Sequence, residues 1–426
     1  MSKLINSEDN KFEIMSSRDR IMTAIHHKES DKVPIDFGST AVSGISAIAY
    51  HKLKAYLGIN SGHTRIYDVL QQLARPEDAI LDRFQPDALD IGRTFNVNDA
   101  DWYDVNVHGI QAQYPAWFKP ELNKGYYEIK EDEITIAKMP ELGFFFDPMY
   151  YPYLEGYPED FSSLWTDLKK TPWYKCPSAP FDNINQKKFW QKLRENAKTL
   201  REKTKKALLI GGGGGLFELG YSLRRMDKFL IDIIRNPAKV EKLLDKILDF
   251  NLATLTFVCK YVGDVIDIIW IGDDLGGNNG PFFSPLIFRK LFKPRLSEIC
   301  DYIKKHSRMK IFFHSCGSIY PFIPDFIECG IDILNPVQIN VKNMDPKNLK
   351  ERFGDDITFW GGGADIRNVI SRKTPPEIKK HVTELLEIFS PGGGYIWSTI
   401  HNITPEVPPA NIVATFEAVQ EFNNQK

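Results

Sequence analysis

The sequence predicts an α/β fold: a (β/α)8 TIM barrel with a long insertion after an early strand. Three observations predict it. Short β-branched or aromatic apolar runs recur along the chain and end in Gly, Asp, Asn or His. Amphipathic stretches follow most of them, as in repeating strand–helix units that build a parallel sheet. The runs number eight, which favours a closed barrel over an open sheet.

Taken in order, SRDRIMTAIHH (17–27) reads as an opening helix and VPIDF (33–37) and DALDIG (87–92) as the first two strands. The remaining strands are ALLIGG (207–212), VIDIIWIG (265–272), KIFFHS (310–315), IDILNP (331–336), ITFWGG (357–362) and YIWST (395–399). Helical patterns occupy 225–235, 237–262, 284–306, 344–354 and 375–390, with apolar residues three and four apart and Lys and Glu between them. Pro237 and Pro375 suit a first helical turn, and Asn236 and Thr374 before them are expected to cap. More than a hundred residues separate the second and third strands. This aromatic- and proline-rich stretch, 93–206, is read as an insertion on a single barrel domain covering 1–426, with a hairpin at 126–139. A lid, a substrate wall or an oligomer contact would each suit it.

Composition excludes several classes. The 426 residues are 42% hydrophobic and 26% charged with a formal net charge of −2, which gives no electrostatic reason to expect nucleic acid or an anionic membrane as partner. No apolar run is long enough to span a bilayer, and the first residues are polar, unlike a signal peptide. A cytoplasmic location is expected. The 5 cysteines form no CxxC pair, so free thiols are expected in place of a disulfide framework.

In a barrel the loops after the strands form the active face, so strand ends carry the chemistry. His314 and Cys316 are two apart in FFHSCG, and a strand's side-chain period is two, so both should point into the barrel mouth. Imidazole and thiolate can fill two tetrahedral positions of zinc, and His401 after the last strand offers a third. A buried histidine beside an inert thiol is the bland alternative, and a Cys–His nucleophile is disfavoured because side chains on one strand face diverge. Asp273 and Asp274 could orient a substrate or shift each other's pKa; alternatively one caps the next segment. Asn335, Gln338 and Asp365 are candidate substrate contacts, or bond loop backbone. Glycines 211–215 lack the Lys-Ser/Thr of a phosphate loop and suit a sharp turn or close backbone approach.

Five segments resemble the uroporphyrinogen decarboxylase superfamily: SRDRIMTAIHHKESDKVPIDFG, GDDLGGNNGPFFSPLIFRKLFKPRL, HSCGSIYPFIPDFIECGIDILNPVQ, FWGGGADIRNVI and PGGGYIWSTIHNITPEVPPANI. That superfamily includes corrinoid-dependent methyltransferases on the same barrel. Porphyrinogen decarboxylases carry an arginine-rich segment near the amino terminus that binds substrate carboxylates; here that region reads DFGSTAVSGISA and has no arginine. The methyltransferase branch uses a His-x-Cys strand end plus a later cysteine for zinc, and His314 and Cys316 match the first two ligands. The later cysteine has no counterpart. His401 stands there and also resembles a substrate-contacting histidine of the decarboxylases, so the third ligand stays open.

The resemblance implies a zinc-dependent methyltransferase that moves a methyl group between a small methylated compound and a corrinoid protein, by O-demethylation or thiol methylation. Asp273 and Asp274 would position substrate, with Glu218 of GLFELG as a further acid–base candidate. No DxHxxG corrinoid module is seen, so cobalamin is expected on a partner protein. The alternative is a metal-independent decarboxylase of a tetrapyrrole or other polycarboxylate.

Overall fold

The computed structural model describes residues 15–176 and 186–425. Seven parallel strands form one sheet in chain order: β1 (Ala88–Asp90), β2 (Ala207–Gly214), β3 (Ile268–Gly272), β4 (Lys310–His314), β5 (Ile333–Asn335), β6 (Thr358–Trp360) and β7 (Tyr395–Ile396). The segment around Ile35 closes it. Ile35 bridges Trp397 in parallel, Asp36 N–H donates to the Trp397 carbonyl at 2.8 Å, and Asp87 N–H donates to the Ile35 carbonyl at 2.7 Å. All eight expected strands are therefore present, most trimmed by a few residues, and VPIDF is reduced to this bridge.

Period-two alternation separates two cores. Ala88, Leu209, Ile268, Phe312, Ile333, Trp360 and Ile396 point into the barrel, and Ile21, Ala24 and Ile25 of the helix α1 (Ser17–Ile25) seal its amino-terminal end. Leu208, Ile269, Ile311, Phe313, Leu334 and Phe359 point outward and join the core beneath the helices. Each such buried side chain contributes about 1.5–3 kcal/mol. The same alternation aims Asp90, His314 and Asn335, two positions beyond Ala88, Phe312 and Ile333, at the carboxyl-terminal mouth.

Two local expectations change. The stretch 284–306 is not one regular α-helix: Phe288–Phe292 winds as a wider π turn just before Pro294, whose missing N–H interrupts the ladder. Asn236 does not cap: its Nδ2 donates back to Asp232 at 2.7 Å. Thr374 does stand in a capping box, its N–H donating to Glu377 at 2.9 Å.

Between β1 and β2 lie a hairpin pairing Trp102–Val107 with Ile110–Pro115 and a four-stranded antiparallel sheet. Within that sheet Tyr126–Glu131 pairs with Ile134–Pro140, the hairpin read at 126–139. Arg224 ties this region to the barrel by donating to the carbonyls of Tyr153 and Leu154 at 2.7 and 2.8 Å, and the Trp165 ring lies 4.4 Å from that of Phe250. Among the described residues no helix is long and apolar enough to cross a membrane.

Candidate metal centre and active-site face

His314 ends β4 and faces the mouth. Its Nδ1 lies 2.7 Å from Asn335 Oδ1, and Asn335 Nδ2 donates to the Trp360 carbonyl at 2.8 Å. The carbonyl fixes which way the amide points, so Asn335 accepts from Nδ1–H and Nε2 is the nitrogen that faces outward. Nε2 then meets Cys316 Sγ at 3.4 Å and Asp274 Oδ1 at 3.4 Å.

The approach of His314 and Cys316 corrects the expectation that their side chains diverge. The strand stops at His314. Ser315 N–H donates to the Asn335 carbonyl at 2.8 Å, and Gly317 turns at φ +89°, so the thiol folds back over the imidazole. Cys316 N–H also donates to Asp274 Oδ1 at 2.8 Å, and Gly317 N–H to Gln338 Oε1 at 2.8 Å, which fixes the loop.

Donor atoms of Asp274, His314 and Cys316 all lie within 4.8 Å of one another. Oxygen, nitrogen and sulfur, with Asn335 holding the imidazole from behind, form a set that can hold a zinc-sized ion at bond lengths of about 2.0–2.3 Å. Asp274 thus stands where sequence reasoning had put His401, which lies outside this group.

The neighbouring carboxyls divide by environment. Asp273 accepts from the N–H groups of Phe217 and Glu218, both at 2.8 Å, at the start of the helix α2 (Leu216–Arg224). Burial pushes it up to about 7 despite those bonds. Asp274 is also desolvated, but the hydrogen bond and charge of His314 outweigh this and hold it at about 2. Glu218 is pushed up to about 8 by burial and by the charges of Asp274 and Asp273; its carboxyl accepts from the Tyr221 hydroxyl at 3.2 Å. His314 is raised although burial opposes its charge, because Cys316 and Asp274 lie against it. Burial, followed by repulsion from His314, lowers His401 to about 4, so it is neutral in the same field.

Of the expected substrate contacts, Asn335 and Gln338 are engaged as above. Asp365 accepts from the N–H groups of Arg367 and Asn368 and from both Asn340 and Asn368 side chains, as a turn residue does. Sequence reasoning passed over Asp90, although it ends a strand facing the mouth, the same signal that marked the other candidates. Tyr221 carried no motif; only the helical turn separating it from Glu218 could have marked it.

The chain is 25% identical over 224 residues to the uroporphyrinogen decarboxylase of Methylococcus capsulatus, a match spanning 51% of this chain and 60% of that protein. It is 24% identical over 305 residues to that of Pseudoalteromonas translucida, spanning 68% and 77%. A solved methyltransferase from Methanosarcina mazei superposes with a TM-score of 0.57 at 19% identity, covering 96% of this chain and 99% of that one, a likeness of fold. Residues 178–422, more than half of the chain, match the uroporphyrinogen decarboxylase (URO-D) family, and to that family the chain belongs.

Proposed function

We propose that this family member is a zinc-dependent methyltransferase that moves a methyl group between a small methylated compound and the cobalt of a corrinoid held on a separate protein. The observation that carries the reading is the convergence of Asp274, His314 and Cys316 at the barrel mouth, with Asn335 fixing the imidazole. A porphyrinogen decarboxylation needs no such donor set. Bound there, zinc would supply Lewis acidity to the oxygen, sulfur or nitrogen that carries or receives the methyl group.

The chain's own residues prepare that exchange. Asp274, His314 and Cys316 would hold the ion from one side of the mouth and leave the other open to substrate. Asp273 secures the start of α2 and so places Glu218 within the field of Asp274 and Asp273. Glu218 is held protonated in the metal-free protein by burial and by Asp274 and Asp273, and would be the group placed to give a proton to a heteroatom that loses its methyl group. The name of the Methanosarcina neighbour is consistent with this reading. The curated relatives favour the decarboxylase alternative, which the absence of arginine from DFGSTAVSGISA opposes.

The test is metal content of protein purified without chelator, followed by methylcobalamin formation from cob(I)alamin with methanol, methyl ethers and methyl thioethers. Near-stoichiometric zinc in the wild type, lost in His314→Ala and Cys316→Ala, weakened in Asp274→Ala and kept in His401→Ala, is expected. A wild type that is metal-free and takes up no added zinc would sink the mechanism.

A further inference from the structure

The insertion holds a cleft of its own. It opens between the hairpin of Trp102–Val107 with Ile110–Pro115 and the four-stranded antiparallel sheet, and its cavity measures 300 Å³. That is the small end of the range of ligand pockets, about 300–1,000 Å³. Tyr103 and Tyr114 stand opposite each other in the hairpin, and Tyr127 pairs with Met139 in the sheet. Those four form the walls with Pro120 and two hairpin valines, and Glu141 lines the exposed rim. None of them belongs to the site around His314.

The hairpin tyrosines offer the cleft ring surface and not hydroxyls. Tyr103 Oη donates to the Phe118 carbonyl and Tyr114 Oη to Gln72 Oε1, both at 2.6 Å, and neither acceptor lines the cleft. These bonds hold the two rings with centres 6.3 Å apart and planes inclined at 58°, a corner and not a flat stack. The neutral polar side chains of the lining are engaged. Asn106 Oδ1 accepts from the Gly109 N–H at 2.9 Å, and His108 Nε2 meets the Gly143 carbonyl at 2.7 Å. No lysine or arginine lines the cleft. Among the described residues the Glu141 carboxylate has no ion pair and no hydrogen bond.

Such a lining selects by charge and by hydration. An anion would meet the negative faces of the rings and a carboxylate, with no cation to offset them. A sugar would need hydrogen-bonding side chains that are already engaged. A metal ion or a primary ammonium would surrender strongly held water to aromatic and aliphatic walls that cannot replace it. A quaternary ammonium has no N–H to satisfy, is weakly hydrated and is attracted to ring faces, and one carboxylate balances its charge. We propose that the cleft binds a small quaternary ammonium compound, its methyl groups against Tyr103, Tyr114 and Tyr127 and its charge balanced by Glu141. The assignment does not depend on the zinc reading.

Ligand-observed NMR titrations with choline and with 3,3-dimethylbutan-1-ol, its uncharged carbon analogue, test it. Choline should bind about tenfold more tightly than the alcohol, because the two bury the same methyl groups and differ only in charge. Tyr127→Leu should lose most of that preference, and Tyr127→Phe, which keeps the ring, should retain it. Glu141→Gln alters an exposed side chain and should weaken choline severalfold while leaving the alcohol unchanged, so the proposal remains testable if Tyr127→Leu fails to fold. His314→Ala should bind choline as the wild type does, whatever the fate of the zinc reading. Wild type that binds neither compound, or binds both equally, overturns the proposal. So does a preference that survives in both Glu141→Gln and a folded Tyr127→Leu, and so does binding lost in His314→Ala, which would place the cation in the barrel mouth.

Discussion

Glu218 and Asp273 stand side by side beneath the mouth and keep protons that free carboxyls would lose, at about 8 and about 7 respectively. In the unfolded chain both ionise near pH 4. From there up to about pH 8 the folded state binds more protons than the unfolded one, so their contribution makes stability fall as pH rises through that window and level off above it. Glu218→Gln removes the larger part. In metal-free protein it should be near neutral at pH 5 and stabilising by roughly 4–5 kcal/mol at pH 9, read from urea unfolding. An equal effect at both pH values would mean that Glu218 is ionised in the fold. At this scale the sequence revealed candidates and not roles. Asp273 and Asp274 are adjacent in the chain, yet one faces the N–H groups of a helix start and the other an imidazole.

Among the elements, the amino-terminal ends of the strands are tied by Asp267. Its carboxylate accepts from Arg18 Nε at 2.7 Å, from Arg201 and from the Leu208 N–H at 2.9 Å, joining α1, the helix Lys187–Lys203, β2 and the approach to β3. The acid is buried while Arg18 is half-exposed, so removing the acid leaves chiefly Arg201 and the Leu208 N–H without their acceptor. Asp267→Ala should cost about 2–3 kcal/mol in urea unfolding, less than a fully buried pair because Arg18 reaches solvent, while leaving metal stoichiometry intact, because the opposite end of the barrel holds the donors. A loss below about 1 kcal/mol would show the arginines relaxing to solvent. Strands and long helices were legible at this level through periodicity. Two helices were not: Lys187–Lys203 lies in the stretch read as an insertion, and Pro409–Asn423 has its polar Glu417, Gln420 and Glu421 only in its last two turns, with Asn411 and Thr415 buried in its first.

For the whole molecule, an ion held by Asp274, His314 and Cys316 would link β4 to the loops after β3 and β4, and unfolding would have to release it. Zinc at a hundred times its dissociation constant should therefore stabilise the wild type by about 2.7 kcal/mol, raising its thermal midpoint, and should leave Cys316→Ala unmoved. An equal rise in both proteins would place the binding elsewhere.

The sequence by itself determined the order of strands and helices, the superfamily, and the inward aim of His314, because these follow from side-chain period and local motif. The tertiary structure decided which distant groups meet. Asp274 comes to Cys316 from 42 positions away while His401 stays outside the donor group. Periodicity can aim a side chain at the barrel axis; only closure of the ring and the path of each loop fix what it finds there.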